Sequence, residues 1–244
     1  MSLTFRLILD PPRDAALNMA IDELLMESQS LSEPPPVLRF YSWSEPAYSA
    51  GYFQNVAEIV KRFRCVKKNI SVVKRFTGGG LVFHGKDLTF SLSMKDSDHF
   101  FLGNVKDSYL KVNEALRSGL KPAFPDIDYA DCRDIPSGRG DGGRVCFEAP
   151  SCYDLLLHGK KVVGASQRRK GGAILHQSSV FLNGDESILR RHILEGFMEK
   201  WKIDFFEKPL SAEELFAAQQ KKERYASSEW AYLPGLNLER SFLS

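Results

Sequence analysis

The chain has 244 residues, 43% apolar and 26% charged side chains and a formal net charge of +2, the composition of a folded protein with a substantial core. So small a positive excess gives no mandate for nucleic-acid binding, and no apolar run approaches the roughly 18 residues that cross a bilayer. The first residues lack a signal-peptide layout, and Cys65, Cys132, Cys146 and Cys152 are too few and too irregularly spaced for a disulfide framework, so a cytoplasmic protein with reduced thiols is expected.

Residues 3–9 alternate as a strand, and Pro11-Pro12 separates them from a helix over about residues 14–28, where Leu17, Ala20, Ile21, Leu24 and Leu25 recur at helical spacing. Pro34-Pro35-Pro36 forms a stiff connector into the β-favouring stretch 37–43, and further short strands are expected at 47–50, 71–75, 81–83 and 88–93. Phe101, Val105, Tyr109, Val112, Leu116 and Leu120 mark a second amphipathic helix. Strands resume at 153–157, 161–166 and 173–182, and the C-terminal third turns helical. There Ser211 and Glu214 form a capping box ahead of Leu215. The pattern predicts an α+β fold, a mixed sheet backed by helices.

The segment Lys74-Arg75-Phe76-Thr77-Gly78-Gly79-Gly80-Leu81-Val82-Phe83-His84 carries the most chemical information. Three consecutive glycines between apolar runs either make a tight hairpin or let backbone N–H groups approach a phosphate or carbonyl, with Lys74 and Arg75 as cationic donors nearby. Residues 131–146 are polar and glycine-rich, which reads as a loop that could act as a lid. Its Gly138-x-Gly140-x-x-Gly143 run neither follows an apolar strand nor opens a helix and is discounted as a dinucleotide fingerprint. Cys146 ends this loop, where a thiol is open to substrate or else packs as a small hydrophobe. Lys161 stands within an apolar strand, and because side chains alternate along a strand, only one of Lys160 and Lys161 faces a site. His84 and His176 have no second ligand at metal spacing, so each is a structural histidine or, less simply, a general base. Trp43, Tyr52, Phe53, Phe76 and Phe83 suit a tunnel for a fatty chain and suit an ordinary core equally.

The run RFTGGGLVFHGKDLTFSLS resembles the R(R)xTGGGxVxH segment of the lipoate–protein ligase and octanoyltransferase family, whose fold is shared with biotin–protein ligases. Trp43-Ser44-Glu45-Pro46 through Gly51-Tyr52-Phe53-Gln54 is similar to its WxxPxxxxGxxQ element. Gly159 to Arg169 followed by Leu175 to Leu182 is similar to its GxKVxGxxQxR…LHxGxxxL element, with Gln177 where a second His is common and Ser178 where Gly is common. Val145-Cys146-Phe147-Glu148-Ala149-Pro150-Ser151 resembles the cysteine-bearing segment of the octanoyltransferase branch. The resemblance implies one catalytic domain over residues 1–244 with a helical extension over about residues 205–244, and no full accessory domain is expected.

The resemblance implies Cys146 as acyl-holding nucleophile and Lys161 as its catalytic partner, with Cys152 as core packing and Cys65 and Cys132 structural or incidental. Arg75, Thr77, Gly78, Gly79, Gly80, His84, Gly164, Ser166 and His176 would contact substrate. It implies octanoyl transfer from acyl carrier protein to a lysine of a lipoyl-domain protein such as glycine cleavage H protein or the E2 lipoyl domain of a 2-oxoacid dehydrogenase. No cofactor, metal, nucleic acid or membrane is expected to take part. The alternatives are an ATP- and magnesium-dependent lipoate–protein ligase, an amidotransferase between lipoyl-domain proteins, and a non-catalytic acyl-binding module.

Overall fold

A computed structural model describes residues 3–31, 34–98, 104–131, 133, 147 and 150–235. The elements in chain order are β1 (Leu3–Leu9), α1 (Ala15–Leu31), β2 (Val37–Tyr41), β3 (Ala47–Ala50), α2 (Val56–Phe63), α3 (Cys65–Lys68), β4 (Ser71–Lys74), β5 (Val82–His84), β6 (Leu88–Lys95) and α4 (Val105–Leu120). There follow β7 (Asp128–Tyr129), β8 (Leu155–Leu157), β9 (Lys160–Lys161), β10 (Val163–Lys170), β11 (Ala173–Val180), α5 (Glu186–Trp201), β12 (Ile203–Glu207), α6 (Ala212–Tyr225) and β13 (Ala231–Tyr232).

The main sheet runs β10-β11-β6-β2-β1-β12. It is mixed, because β1 pairs in parallel with both β2 and β12 while the other neighbours are antiparallel. A smaller sheet runs β13-β4-β3-β5, and a third joins β7, β8 and β9. The expected mixed sheet backed by helices is therefore present. The capping box also forms, with Ser211 accepting from the Glu214 N–H and the Glu214 carboxylate accepting from the Ser211 N–H.

The C-terminal third departs from the helical expectation in two places, since Ile203–Glu207 adds an edge strand to the main sheet and Ala231–Tyr232 adds one to the smaller sheet. α2 and α3 also fall in a stretch where no helix was expected. Asn55 caps α2, accepting from the N–H groups of Ala57 and Glu58.

One strand shows how the sequence prepares the site. In β6, Leu-Thr-Phe-Ser-Leu-Ser-Met-Lys, the alternating residues Leu88, Phe90, Leu92 and Met94 enter the main core with α4 and α5 residues such as Val112, Leu116, Ile193 and Phe197. Period-two geometry sends Thr89, Ser91 and Ser93 to the opposite face, and these hydroxyl residues are buried too. That face meets α1, whose own buried residues include Asn18 and Asp22 beside Met19, Ile21 and Leu25. The sheet thus has one apolar side and one side that buries hydroxyls. Polar groups removed from water must be paired, and the pairing they find builds the site.

Candidate active site

Arg39 lies in the middle of β2 with no exposed surface. Its guanidinium donates to Asp10 at 2.7 and 3.1 Å, to Asp22 at 2.7 Å, and to the backbone and side-chain oxygens of Asn18 at 3.2 and 2.7 Å, and it stacks on the Tyr41 ring at 4.1 Å. Burial opposes the Arg39 charge, but Asp22 and Asp10 outweigh it and raise its pKa. Burial also works against the Asp10 carboxylate, yet Arg13 and Arg39 hold it below the usual range. Asp22 accepts four hydrogen bonds, from Arg39, Ser91, Tyr41 and Gln177, at 2.7–2.9 Å. No lone pair of that carboxylate is wasted.

Gln177 carries the network from α1 to the glycine turn. Its amide nitrogen donates to Asp22 at 2.7 Å, and its amide oxygen accepts from the Thr77 hydroxyl at 2.6 Å. Thr77 in turn lies 2.7 Å from the Ser166 hydroxyl, which accepts from Arg75 Nε at 3.3 Å. Arg75 is buried and spends its other donors on the Ser49 carbonyl and hydroxyl (2.7 and 3.0 Å) and on the carbonyls of Gly78 and Gly80 (2.8 and 2.7 Å). The guanidinium therefore gathers the carbonyls of the turn rather than presenting itself to a ligand. With those oxygens drawn inward, the N–H groups of Gly78, Gly79 and Gly80 find no protein partner among the described residues.

Two glycines are required by geometry. Gly79 has φ +87, the left-handed region that disfavours side chains. Gly51 of the upstream motif packs so closely on the turn that a Cβ would stand 2.0 Å from the Gly79 carbonyl oxygen. Gln54 of the same motif closes its own turn by accepting from the Gly51 N–H at 2.9 Å.

His84 is the hub of the network's other arm. Nε2 lies 2.8 Å from Ser49 Oγ and Nδ1 lies 2.7 Å from Asp87 Oδ2, while the ring stacks on Trp43 with centroids 4.0 Å apart. Arg75 already uses Ser49 as an acceptor, so the Ser49 proton is available to Nε2, which leaves Nδ1–H for Asp87. Burial works against the Asp87 carboxylate, but His84, Thr89 and the Gly85 N–H hold its pKa low. The order serine–histidine–aspartate is that of a hydrolase triad, yet Ser49 is 2% exposed and engaged by Arg75, so the arrangement braces the arginine.

Met19, Tyr41, Trp43, Ser49, Arg75, Val82, His84, Gly164, Ser166 and Gln177 line a cleft at this seam between the two sheets and α1. Of the substrate-binding residues expected from the sequence, Arg75, His84, Gly164 and Ser166 line the cleft, and Thr77 is bonded directly to Ser166. His176 does not join them. It follows the opposite alternation on β11 and faces α4, with Nε2 2.9 Å from Ser178 Oγ and its ring against Tyr109. It is completely buried, which pushes its pKa down to about 3 and keeps it neutral. Gln177, its neighbour, is the residue on the cleft side. Of the five aromatics considered for a tunnel, only Trp43 is among the described residues lining the cleft, and Phe53 is 89% exposed.

Cys146 lies outside the described residues, as does the discounted glycine run before it. Phe147, the next residue in sequence, is described, and Lys161 Nζ stands 5.6 Å from the centre of its ring. Lys161 is 5% exposed at its side chain and forms a 2.7 Å ion pair with Asp154, while Lys160 is exposed. Asp154 is held in turn by the Ser151 N–H at 2.6 Å. A buried ammonium needs such a partner, and nothing in the sequence around Lys161 singles out Asp154 for that part. Two cysteine expectations are corrected here, because Cys152 is half-buried rather than core and is disulfide-bonded rather than reduced. Cys65 is a buried free thiol whose pKa burial pushes up to about 11, so it stays protonated and unreactive. Among the described residues no group of His, Cys, Asp and Glu could hold a metal ion, and no helix is long and apolar enough to cross a membrane.

Residues 14–208 match the family model of the lipoyl protein ligase A/B catalytic domain. The chain belongs to that enzyme family. It is 32% identical to the octanoyltransferase LipM of Halalkalibacterium halodurans over 94% of this chain and 99% of that one, and 30% identical to LipM of Bacillus subtilis over 94% and 98%. Among solved structures it is similar to a T. acidophilum protein assigned as a lipoate protein ligase, with TM-score 0.78, 25% identity and coverage of 93% and 98%. It is also similar to a lipoate-protein ligase A bound with ATP, with TM-score 0.73, 25% identity and coverage of 94% and 98%. These neighbours share the expected fold, with helices on a mixed sheet.

Proposed function

We propose that the protein transfers an octanoyl group from acyl carrier protein to the ε-amine of a lysine on a lipoyl-domain protein, holding the group in between as a thioester on Cys146. The observation that carries this reading is the buried Lys161–Asp154 pair beside Phe147, the residue that follows Cys146. A lysine ammonium favours the thiolate form of a cysteine in its vicinity by Coulombic attraction. In the first half-reaction the Cys146 thiolate attacks the carrier thioester, the carbonyl–sulfur bond to the carrier breaks, and the carrier leaves as a thiolate that takes up the proton Cys146 gave up. Lys161 and the glycine-turn N–H groups, which have no partner among the described residues, stabilise the oxyanion that forms on the carbonyl. In the second half-reaction the acceptor amine displaces the Cys146 thiolate and forms an amide. Thioester exchanges for thioester and then for the more stable amide, so the route needs neither ATP nor magnesium. The near-full-length likeness to proteins named octanoyltransferase supports this route.

The likeness to an ATP-bound ligase favours a second reading, in which the glycine turn and Lys161 hold an acyl-adenylate. Purified protein and a lipoyl-domain acceptor should be given either octanoyl-acyl carrier protein alone, or free octanoate or lipoate with ATP and magnesium. Modification of the acceptor by the carrier substrate without ATP is expected. Modification only with free acid and ATP would replace this reading with the ligase.

A further inference from the structure

Gln177 stands where the buried Asp22 network meets the glycine turn, and both ends of its amide are committed. Asp22, ringed by Arg39, Tyr41 and Ser91, can only accept, so the bridging group must donate to it. Thr77 sends its single proton to the bridge, so the same group must also accept. The remaining hydroxyl polarity then follows, because Ser166 donates to Thr77 and accepts from Arg75. A carboxylate or a second cation in this place would break one end of the chain. The strand itself is undistorted, since Gln177 pairs in register with Ser91 and Ser166 and Ser178 pairs with Phe90 and Ala165.

We propose that Gln177 is a positioning residue that ties Thr77, and through it the Arg75-held glycine turn, to the Asp22 carboxylate, and that it does so with a group that does not titrate. A neutral imidazole has the same polarity, one donor and one acceptor. An imidazolium has two donors and cannot accept from Thr77. The amide thus keeps the turn anchored across the acid range in which a histidine here would release it. The groups facing Gln177 are Asp22 from α1, Tyr41 from β2, Thr77 from the turn and Ser166 from β10, with Arg39 and Arg75 one bond further out. Burial raises the Tyr41 pKa far above its ordinary value, and the two arginines stay charged. The proposal rests on the acyl-transfer reading for its kinetic readout, and the hydrogen-bond bridge has a readout of its own.

The test compares wild-type protein with Gln177→His and Gln177→Glu from about pH 5 to 8.5, measuring single-turnover octanoyl transfer from acyl carrier protein together with Tm. For Gln177→His the rate relative to wild type should hold at high pH and fall about tenfold per unit below an imidazole pKa of about 6.5. Gln177→Glu is isosteric and should behave oppositely. Its protonated carboxyl donates to Asp22 and accepts from Thr77, whereas its ionised form faces another carboxylate, so the relative rate falls as pH rises. Opposite slopes in rate and in Tm support the proposal. Relative rates flat with pH in both variants overturn it, and opposite slopes in Tm with flat relative rates reduce Gln177 to a structural residue and also overturn the positioning role. Wild-type protein that transfers no octanoyl group would remove the acyl-transfer reading, and the Tm slopes would then still report the bridge.

Discussion

Asp154→Asn is the substitution whose cost the structure sets most directly. Lys161 and Asp154 lie 2.7 Å apart with side chains only 5% and 12% exposed, so removing the carboxylate strands an ammonium out of water. Breaking a buried pair from one side costs about 3–5 kcal/mol. The Phe147 ring, 5.6 Å from Nζ, returns part of that through its π face, about 1 kcal/mol, which places the expected loss near the lower end. For a chain of this size each kcal/mol is worth about 2–4 °C in Tm, so Asp154→Asn should lower Tm by about 6–12 °C at neutral pH. The double variant Lys161→Met/Asp154→Asn removes the stranded charge and should recover most of that loss. Lys161→Met alone should cut the rate of Cys146 acylation about 100- to 1000-fold, the size of losing one oxyanion donor. Calorimetry on the four proteins of the cycle and single-turnover kinetics read both effects. If the double variant is no more stable than Asp154→Asn, or Lys161→Met acylates within about threefold of wild type, the reasoning about this pair is wrong.

Three further outcomes follow from the same geometry. Gly51→Ala drives a Cβ to 2.0 Å from the Gly79 carbonyl oxygen; as the contact is with backbone, the turn must shift, and acyl transfer should fall at least tenfold, on the order of 1.4 kcal/mol, in steady-state kinetics. Arg39→Met leaves the buried Asp22 carboxylate without its cation and Asp10 with Arg13 alone, and chemical denaturation should show a loss of about 3–5 kcal/mol or failure to fold. His176 has a folded pKa of about 3 against about 6.5 when unfolded, so the unfolded chain binds the extra proton. Stability is then lost as pH falls from about 6.5 towards 3, at up to about 1.4 kcal/mol per pH unit, and His176→Gln should flatten that slope in denaturant titrations.

Much of the fold was legible because it is local. The alternation in β6, the helical spacing in α1 and α4 and the Ser211–Glu214 cap are each written within a few residues. β12 was not, because Ile-Asp-Phe-Phe-Glu becomes a strand only by pairing in parallel with β1, some two hundred residues earlier. α2 carries apolar residues at 56, 59, 60 and 63 behind an Asn cap, a helical pattern that went unread beside the glycine motif. At the site, the glycine turn and Lys161 stood out by residue type. The Asp22–Arg39–Gln177 network did not, since a charge in an apolar stripe says that a partner exists and not which one. The same limit explains His176. Alternation shows that residues 176 and 177 face opposite sides of β11, but only the packing of α1 and α4 shows that the cleft side belongs to Gln177.

Intact-protein mass spectrometry after incubation with octanoyl-acyl carrier protein shows whether Cys146 carries the acyl group. One octanoyl mass should appear, be released by hydroxylamine, map to Cys146 by peptide analysis, and vanish in Cys146→Ala while persisting in Cys65→Ala and Cys152→Ala. Full transfer to the lipoyl-domain acceptor by Cys146→Ala, or an octanoyl adduct on another residue, would contradict the account.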